Sequence, residues 1–252
     1  MAHFNVKKAQ KEFIAGGVML LPFAPFLYAQ GKYTRWKVGR LPDAGGEIIG
    51  RVNGSGEVRR MLALGESTVA GIGADVHSEA FTGQFAKHLS LNTGFSVEWY
   101  AAGVSGITVR RSIDELLPTI VPDDFDIVVV ALGGNDVFNI HSPEKFRSDF
   151  IELLIKLREK NPRSVIFVAN VPMVKDFRAL PNPLRFILSR LAKSHHFNAG
   201  EIVSNFENAY YYDDIGEVED DFFSDGIHPS ANGYNLWCEA MVKFFLSRHS
   251  EI

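Results

Sequence analysis

Two short runs, residues 127–132 and 165–171, consist almost wholly of Val, Ile, Ala and Phe, without polar alternation. Strands that read this way are buried on both faces, and such strands belong to parallel sheets covered by helices on either side. Two further apolar runs, at 58–64 and 96–101, precede them. Helical periodicity fills the intervals. Residues 78–91 place Phe81, Phe85 and Leu89 at i, i+4, i+8. Residues 142–160 open with a Ser142 cap and Pro143, then put Phe146, Phe150, Leu153, Leu154 and Leu157 on one face. Two more helices are expected over 184–197 and 231–247. Strands alternating with helices predict an α/β domain with a parallel sheet, here over residues 55–252.

With 46% hydrophobic and 22% charged residues among 252, the chain carries enough apolar surface for one large core, which excludes disorder as its main state. One cysteine, Cys238, excludes a disulfide framework and a Cys-rich metal site. The net charge of −4 argues against nucleic acid as the main partner. That charge is uneven: residues 1–60 hold ten Lys/Arg and four acids, the remainder sixteen and twenty-six.

The basic N-terminal part, residues 1–54, contains nineteen consecutive uncharged residues, 13–31. As a helix this run is about 28 Å long, close to the thickness of a bilayer core. Pro22 and Pro25 interrupt it, and bases flank both ends. A membrane anchor, an interfacial or packed helix, and a cleaved signal peptide all stay open, and with them the compartment. The oligomeric state is equally open.

In an open α/β sheet, ligands bind beyond the carboxyl ends of the strands. The residues found there are Gly65-Glu66-Ser67-Thr68, Gly103-Val104-Ser105-Gly106 and Gly133-Gly134-Asn135-Asp136, with Asp225-Gly226-Ile227-His228-Pro229 before the last helix. This set suits acyl transfer. A serine hydroxyl needs a base, histidine suits that role, and an aspartate three residues earlier can orient the ring from the same loop. The oxyanion needs donors, which the Ser67 N–H, the Gly103 N–H and the Asn135 side-chain amide can supply.

In order and residue types these four blocks resemble the SGNH-type hydrolases of the GDSL esterase/lipase superfamily, over residues 58 to 245. The family's Ser, Gly, Asn and His fall on Ser67, Gly103, Asn135 and His228, with Asp225 as the acid; the first block reads Gly-Glu-Ser-Thr where the family has Gly-Asp-Ser-Leu. The resemblance implies a three-layer α/β/α fold with a flavodoxin-like sheet and hydrolysis of carboxylic esters without metal or cofactor. It leaves the small-molecule ester undefined. A lipid-like ester is favoured by the apolar loop 171–184. A carbohydrate O-acetyl esterase and a catalytically silent binding module are the alternatives.

Rival sites are weaker. Ser105 lacks the Gly-x-Ser-x-Gly setting of a nucleophile elbow, because Ile107 stands at the last glycine. His195 and His196 are neighbours on one helix and point apart, so they make no joint metal site. Asp136 is expected to hold the loop that presents Asn135. The acidic run 213–225 fits no EF-hand spacing and reads as a solvated loop.

Overall fold

The structure, a computed structural model, describes residues 4–39, 41–121, 124–214, 218 and 221–249. Two helices lead the chain, α1 (Val6–Leu20) and α2 (Ala24–Val38), joined by a single 3-10 turn at Leu21–Phe23 that holds Pro22, with Pro25 in the first turn of α2. The body then runs β1 (Ile49–Val52), β2 (Val58–Gly65), α3 (Phe81–Thr93), β3 (Ser96–Gly103), the short α4 (Val109–Arg111), β4 (Ile127–Ala131), α5 (Gly134–Phe138), α6 (Pro143–Lys160), β5 (Val165–Val168), α7 (Leu184–Val203), β6 (Ala209–Tyr211) and α8 (Ala231–Arg248).

The six strands lie in the order β1-β3-β2-β4-β5-β6. All neighbours are parallel except β1, which pairs antiparallel to β3 with Ile49 opposite Tyr100. The five parallel strands keep the flavodoxin-like order, whose direction reverses between β2 and β4. The antiparallel edge strand β1 lies ahead of residue 55, where the catalytic domain was expected to begin. Its sequence, Ile-Gly-Arg-Val, is half exposed and lacks an apolar run, so only backbone pairing identifies it.

Alternate side chains of the central strands feed two separate cores. Leu62, Leu64, Val128 and Val130 pack under α6 and α7 with Phe146, Phe150 and Leu153. Met61, Ala63, Ile127 and Val129 pack under α3 and α8 with Phe81, Phe85 and Tyr234. Helices therefore cover both faces, which is why residues 127–131 carry no polar side chain. The expected three-layer α/β/α architecture is the one observed. Its reversal point between β2 and β4 brings the segments after those strands, with Ser67 and Asn135, side by side.

Candidate active site

The Ser67 segment does not run straight into a helix. After β2 the chain makes a tight turn in which Val69 and Ala70 donate to the Glu66 carbonyl (3.0 and 2.9 Å) and Ile72 donates to the Ser67 carbonyl (3.0 Å). Ser67 is half-buried at the head of this turn. Gly103, at the end of β3, abuts the same turn: a Cβ on it would lie 2.3 Å from the Ala70 nitrogen. No side chain fits there.

Next to Ser67, Glu66 is 4% exposed, and its carboxylate reaches across to the start of α5. Oε1 accepts from the Gly134 N–H at 2.9 Å; Oε2 accepts from the Asn135 N–H at 2.9 Å and from Asn135 Nδ2 at 2.5 Å. The first N–H groups of a helix lack intrahelical partners and carry its positive dipole end, so a carboxylate fits there. A Cβ on Gly134 would come within 2.7 Å of Glu66 Oε1, which explains the glycine. Burial pushes the Glu66 pKa up to about 7. The Asn135 and Gly134 N–H groups and the Asn135 amide oppose that rise, and Asp136 adds to it. Because the acceptor oxygen of Glu66 faces the Asn135 side chain, the atom meeting it must be the amide nitrogen. The amide's second N–H is left for another acceptor.

Asp136 is fully buried and ties the same helix down, accepting from the Val109 N–H at 3.0 Å and bonding His141 Nδ1 at 2.8 Å.

On the opposite side, Asp225 organises the loop before α8. Its Oδ1 accepts from the Ile227 and His228 N–H groups (2.9 and 2.7 Å), and its Oδ2 bonds His228 Nδ1 at 2.8 Å. Burial pushes the Asp225 carboxyl up, but the bonds from His228 and Ile227 outweigh it and hold the pKa below the usual carboxylate range. With Nδ1–H donating to Asp225, the tautomer leaves Nε2 with its lone pair. The loop is fixed by Ser224 N–H donating to the His228 carbonyl (2.8 Å) and by Ser230 capping α8. Tyr234 on α8 donates to the Ile72 carbonyl at 2.7 Å, joining this loop's helix to the Ser67 turn.

Ser67, Asn135 and His228 line one open cavity of about 1850 Å³, together with Glu66, Gly134 and Ile227. Phe177, Leu180 and Leu184 of the 171–184 loop line it too, as the sequence predicts. Gly103 and Ser105 are not part of this lining. The Ser105 hydroxyl instead donates to Asp43 at 2.6 Å. His195 stacks on Phe146 with ring centroids 4.2 Å apart, and His196 bonds the Tyr211 hydroxyl at 2.9 Å, so the two imidazoles serve different neighbours. In the acidic run, Glu217, Glu219 and Asp220 lie outside the described residues. Sequence reasoning missed the Glu66 bridge. A carboxylate directly before a candidate nucleophile was its only signal.

A family model described as GDSL-like Lipase/Acylhydrolase matches residues 63–236. No curated protein matches in sequence. Among solved structures the chain is similar to TesA, at 19% identity over 75% of this chain and 99% of that one, with a TM-score of 0.60. It is also similar to a family two carbohydrate esterase from Clostridium thermocellum in complex with cellohexaose, at 17% identity over 75% and 64%, with a TM-score of 0.56. A family 3 carbohydrate esterase from Clostridium thermocellum aligns at 19% identity over 75% and 94%, with a TM-score of 0.54.

Proposed function

The chain belongs to the GDSL-like lipase/acylhydrolase family, and from that premise we propose that it is a serine hydrolase of carboxylic esters working through an acyl-enzyme on Ser67. The observation that carries this reading is His228, bonded to Asp225 at 2.8 Å, on the same cavity as Ser67 and Asn135.

Ser67 Oγ adds to the acyl carbonyl carbon as its proton passes to His228 Nε2, while Asp225 holds the ring and stabilises the imidazolium. The oxyanion is met by the free N–H of the Asn135 amide and the Ser67 backbone N–H, with the N–H of Gly103, packed against the Ser67 turn just outside the cavity lining, as the third donor. The ester C–O bond breaks, and His228 returns the proton to the departing alcohol. Water then adds to the acyl-enzyme with His228 as base, the carboxylic acid leaves, and the Ser67 hydroxyl is restored. No step calls for a metal or cofactor.

The apolar side chains of Phe177, Leu180 and Leu184 on the cavity favour an acyl chain over a sugar as the part of the substrate held there. Association with a membrane through residues 13–31 belongs to the same proposal. The test is a series of p-nitrophenyl esters from acetate upward, with fluorophosphonate labelling of the active serine. Hydrolysis together with labelling at Ser67 is the expected result. An inert protein would return the reading to a silent binding module, and activity confined to acetylated sugars would replace the lipid-like ester with a carbohydrate one.

A further inference from the structure

The two N-terminal helices lie along the catalytic face of the body. Gln10 on α1 accepts from the Glu144 N–H at 3.2 Å, at the start of α6. Gln30 on α2 accepts from the Leu184 N–H at 3.3 Å and donates to the Asn182 carbonyl at 2.8 Å, at the start of α7. Both helix starts sit at the carboxyl edge of the sheet. Phe13, Gly16, Leu20, Leu27, Gly31 and Thr34, at spacings of three, four and seven, turn inward and are half-buried or buried. All six also line the cavity that holds Ser67 and His228.

Residues 6–38 are long and apolar enough to cross a membrane, with a mean hydropathy of 1.5 in the apolar window. The two glutamine contacts are twenty residues apart, about 30 Å along a helix. A segment fastened to the body at both points cannot also be ringed by lipid, so in this conformation it does not span. Its outward side is nonetheless apolar: Ile14, Val18, Phe26, Tyr33 and Trp36 are 54–78% exposed. Lys7, Lys8 and Lys11 stand at one end, and Lys32, Arg35 and Lys37 at the other, against the single acid Glu12. A second copy of the chain covering this face would bring two strongly basic segments together. An apolar face ringed by bases fits the surface of an anionic bilayer instead.

We propose that α1 and α2 form an in-plane docking element for an anionic lipid leaflet, and that their inner stripe walls the passage from that leaflet to Ser67. The substrate is then an acyl ester of a membrane lipid; this last step rests on the esterase reading, and the docking does not.

The test uses the full chain, added to phosphatidylcholine vesicles with or without phosphatidylserine and sedimented. Binding that needs phosphatidylserine and weakens with salt is expected. The pair Val18→Asp and Trp36→Asp, on outward residues away from the cavity, should lower the bound fraction about tenfold or more while p-nitrophenyl acetate hydrolysis and the circular dichroism stay as in the parent. Lys7→Glu with Lys8→Glu and Lys11→Glu should do the same without altering the apolar face. Docking is overturned if the parent binds neither vesicle, binds both equally, or is recovered from vesicles only in detergent at high salt. It is also overturned if both variants bind as the parent does, or if the outward face proves to be buried in a dimer. Vesicle binding by a protein inert toward every ester would uphold the docking and remove the lipid-ester step.

Discussion

The Glu66 carboxylate holds Asn135 by its backbone N–H and its side-chain amide at once, at 2.9 and 2.5 Å. One acid on the Ser67 turn thereby fixes the amide that faces the cavity, and it couples the segments after β2 and β4 across the point where the strand order reverses. All three donors meet oxygen, so the ionised form suits the arrangement, yet burial raises the pKa to about 7. Between pH 4.5 and 7 the folded protein keeps a proton that the unfolded chain has lost. The Glu66 contribution to stability is therefore greatest below about pH 4.5 and shrinks as pH rises through 7. The form that orders Asn135 is the one that the fold disfavours, a tension frequent at active sites.

Glu66→Gln should therefore lower kcat by about 10–100-fold with a smaller change in KM. The new NH2 group would confront an N–H of Gly134 or Asn135, leaving a buried donor unpaired at a cost of about 1–3 kcal/mol. Stability measured from pH 4.5 to 7 should lose the downward component that Glu66 contributes to the parent. An unchanged kcat would show that Asn135 does not need this partner.

Asn135→Ala removes the amide itself. Loss of one oxyanion donor costs kcat about 10²–10³-fold, with KM nearly constant. Steady-state kinetics on a p-nitrophenyl ester check this. A raised KM with kcat untouched would make Asn135 a ground-state contact instead.

How much of this was legible in the sequence depended on where each signal resides. Val128 to Val130 announced a strand buried on both faces because their apolar run is local, and Ser142-Pro143 announced the start of α6 because capping is local. The strand β1 was not legible, since an exposed edge needs only a backbone partner, here β3. Nor was β6, whose three residues are too few to show a period. Ser67, Asn135, Asp225 and His228 could be picked out by residue type, and the structure brings Ser67, Asn135 and His228 to one cavity, with Asp225 bonded to His228. The Glu66–Asn135 bond could not, because its partners are 69 residues apart. The same holds for residues 1–54, which read as separable from the catalytic body. Gln10, Gln30 and the Asp43–Ser105 bond instead fasten this part to it through tertiary contacts that no local pattern encodes.

Ser67→Ala and Ser105→Ala separate the two candidate nucleophiles. The first should abolish ester hydrolysis and fluorophosphonate labelling while thermal stability stays within about 0.5 kcal/mol of the parent, as the half-buried Ser67 hydroxyl contributes little buried surface. The second breaks only an exposed bond to Asp43 and should leave kcat within about twofold. Labelling at Ser105 would reverse the assignment.

His195 sets the acid limit of the fold. The ring is fully buried against Phe146, and neither of its nitrogens has a hydrogen-bond partner among the described residues. Burial lowers its pKa to about 3, and that of His196, bonded to Tyr211, to about 4. Both pKa values lie below the ordinary 6.5, so the unfolded chain takes up these protons first. The stability that neutral rings provide is complete above pH 6.5 and is lost as pH falls toward 4 and then 3. Each ring contributes a slope of up to about 1.4 kcal/mol per pH unit. Between pH 6.5 and 4.5 Glu66 contributes a slope of the opposite sign and His77, also lowered by burial, one of the same sign, so the part due to His195 is read by urea unfolding as the difference between parent and variant. His195→Phe, which keeps the stack on Phe146, should lower the slope there by up to about 1.4 kcal/mol per pH unit. An acid limb as steep in the variant as in the parent would mean that His195 already accepts a proton inside the fold.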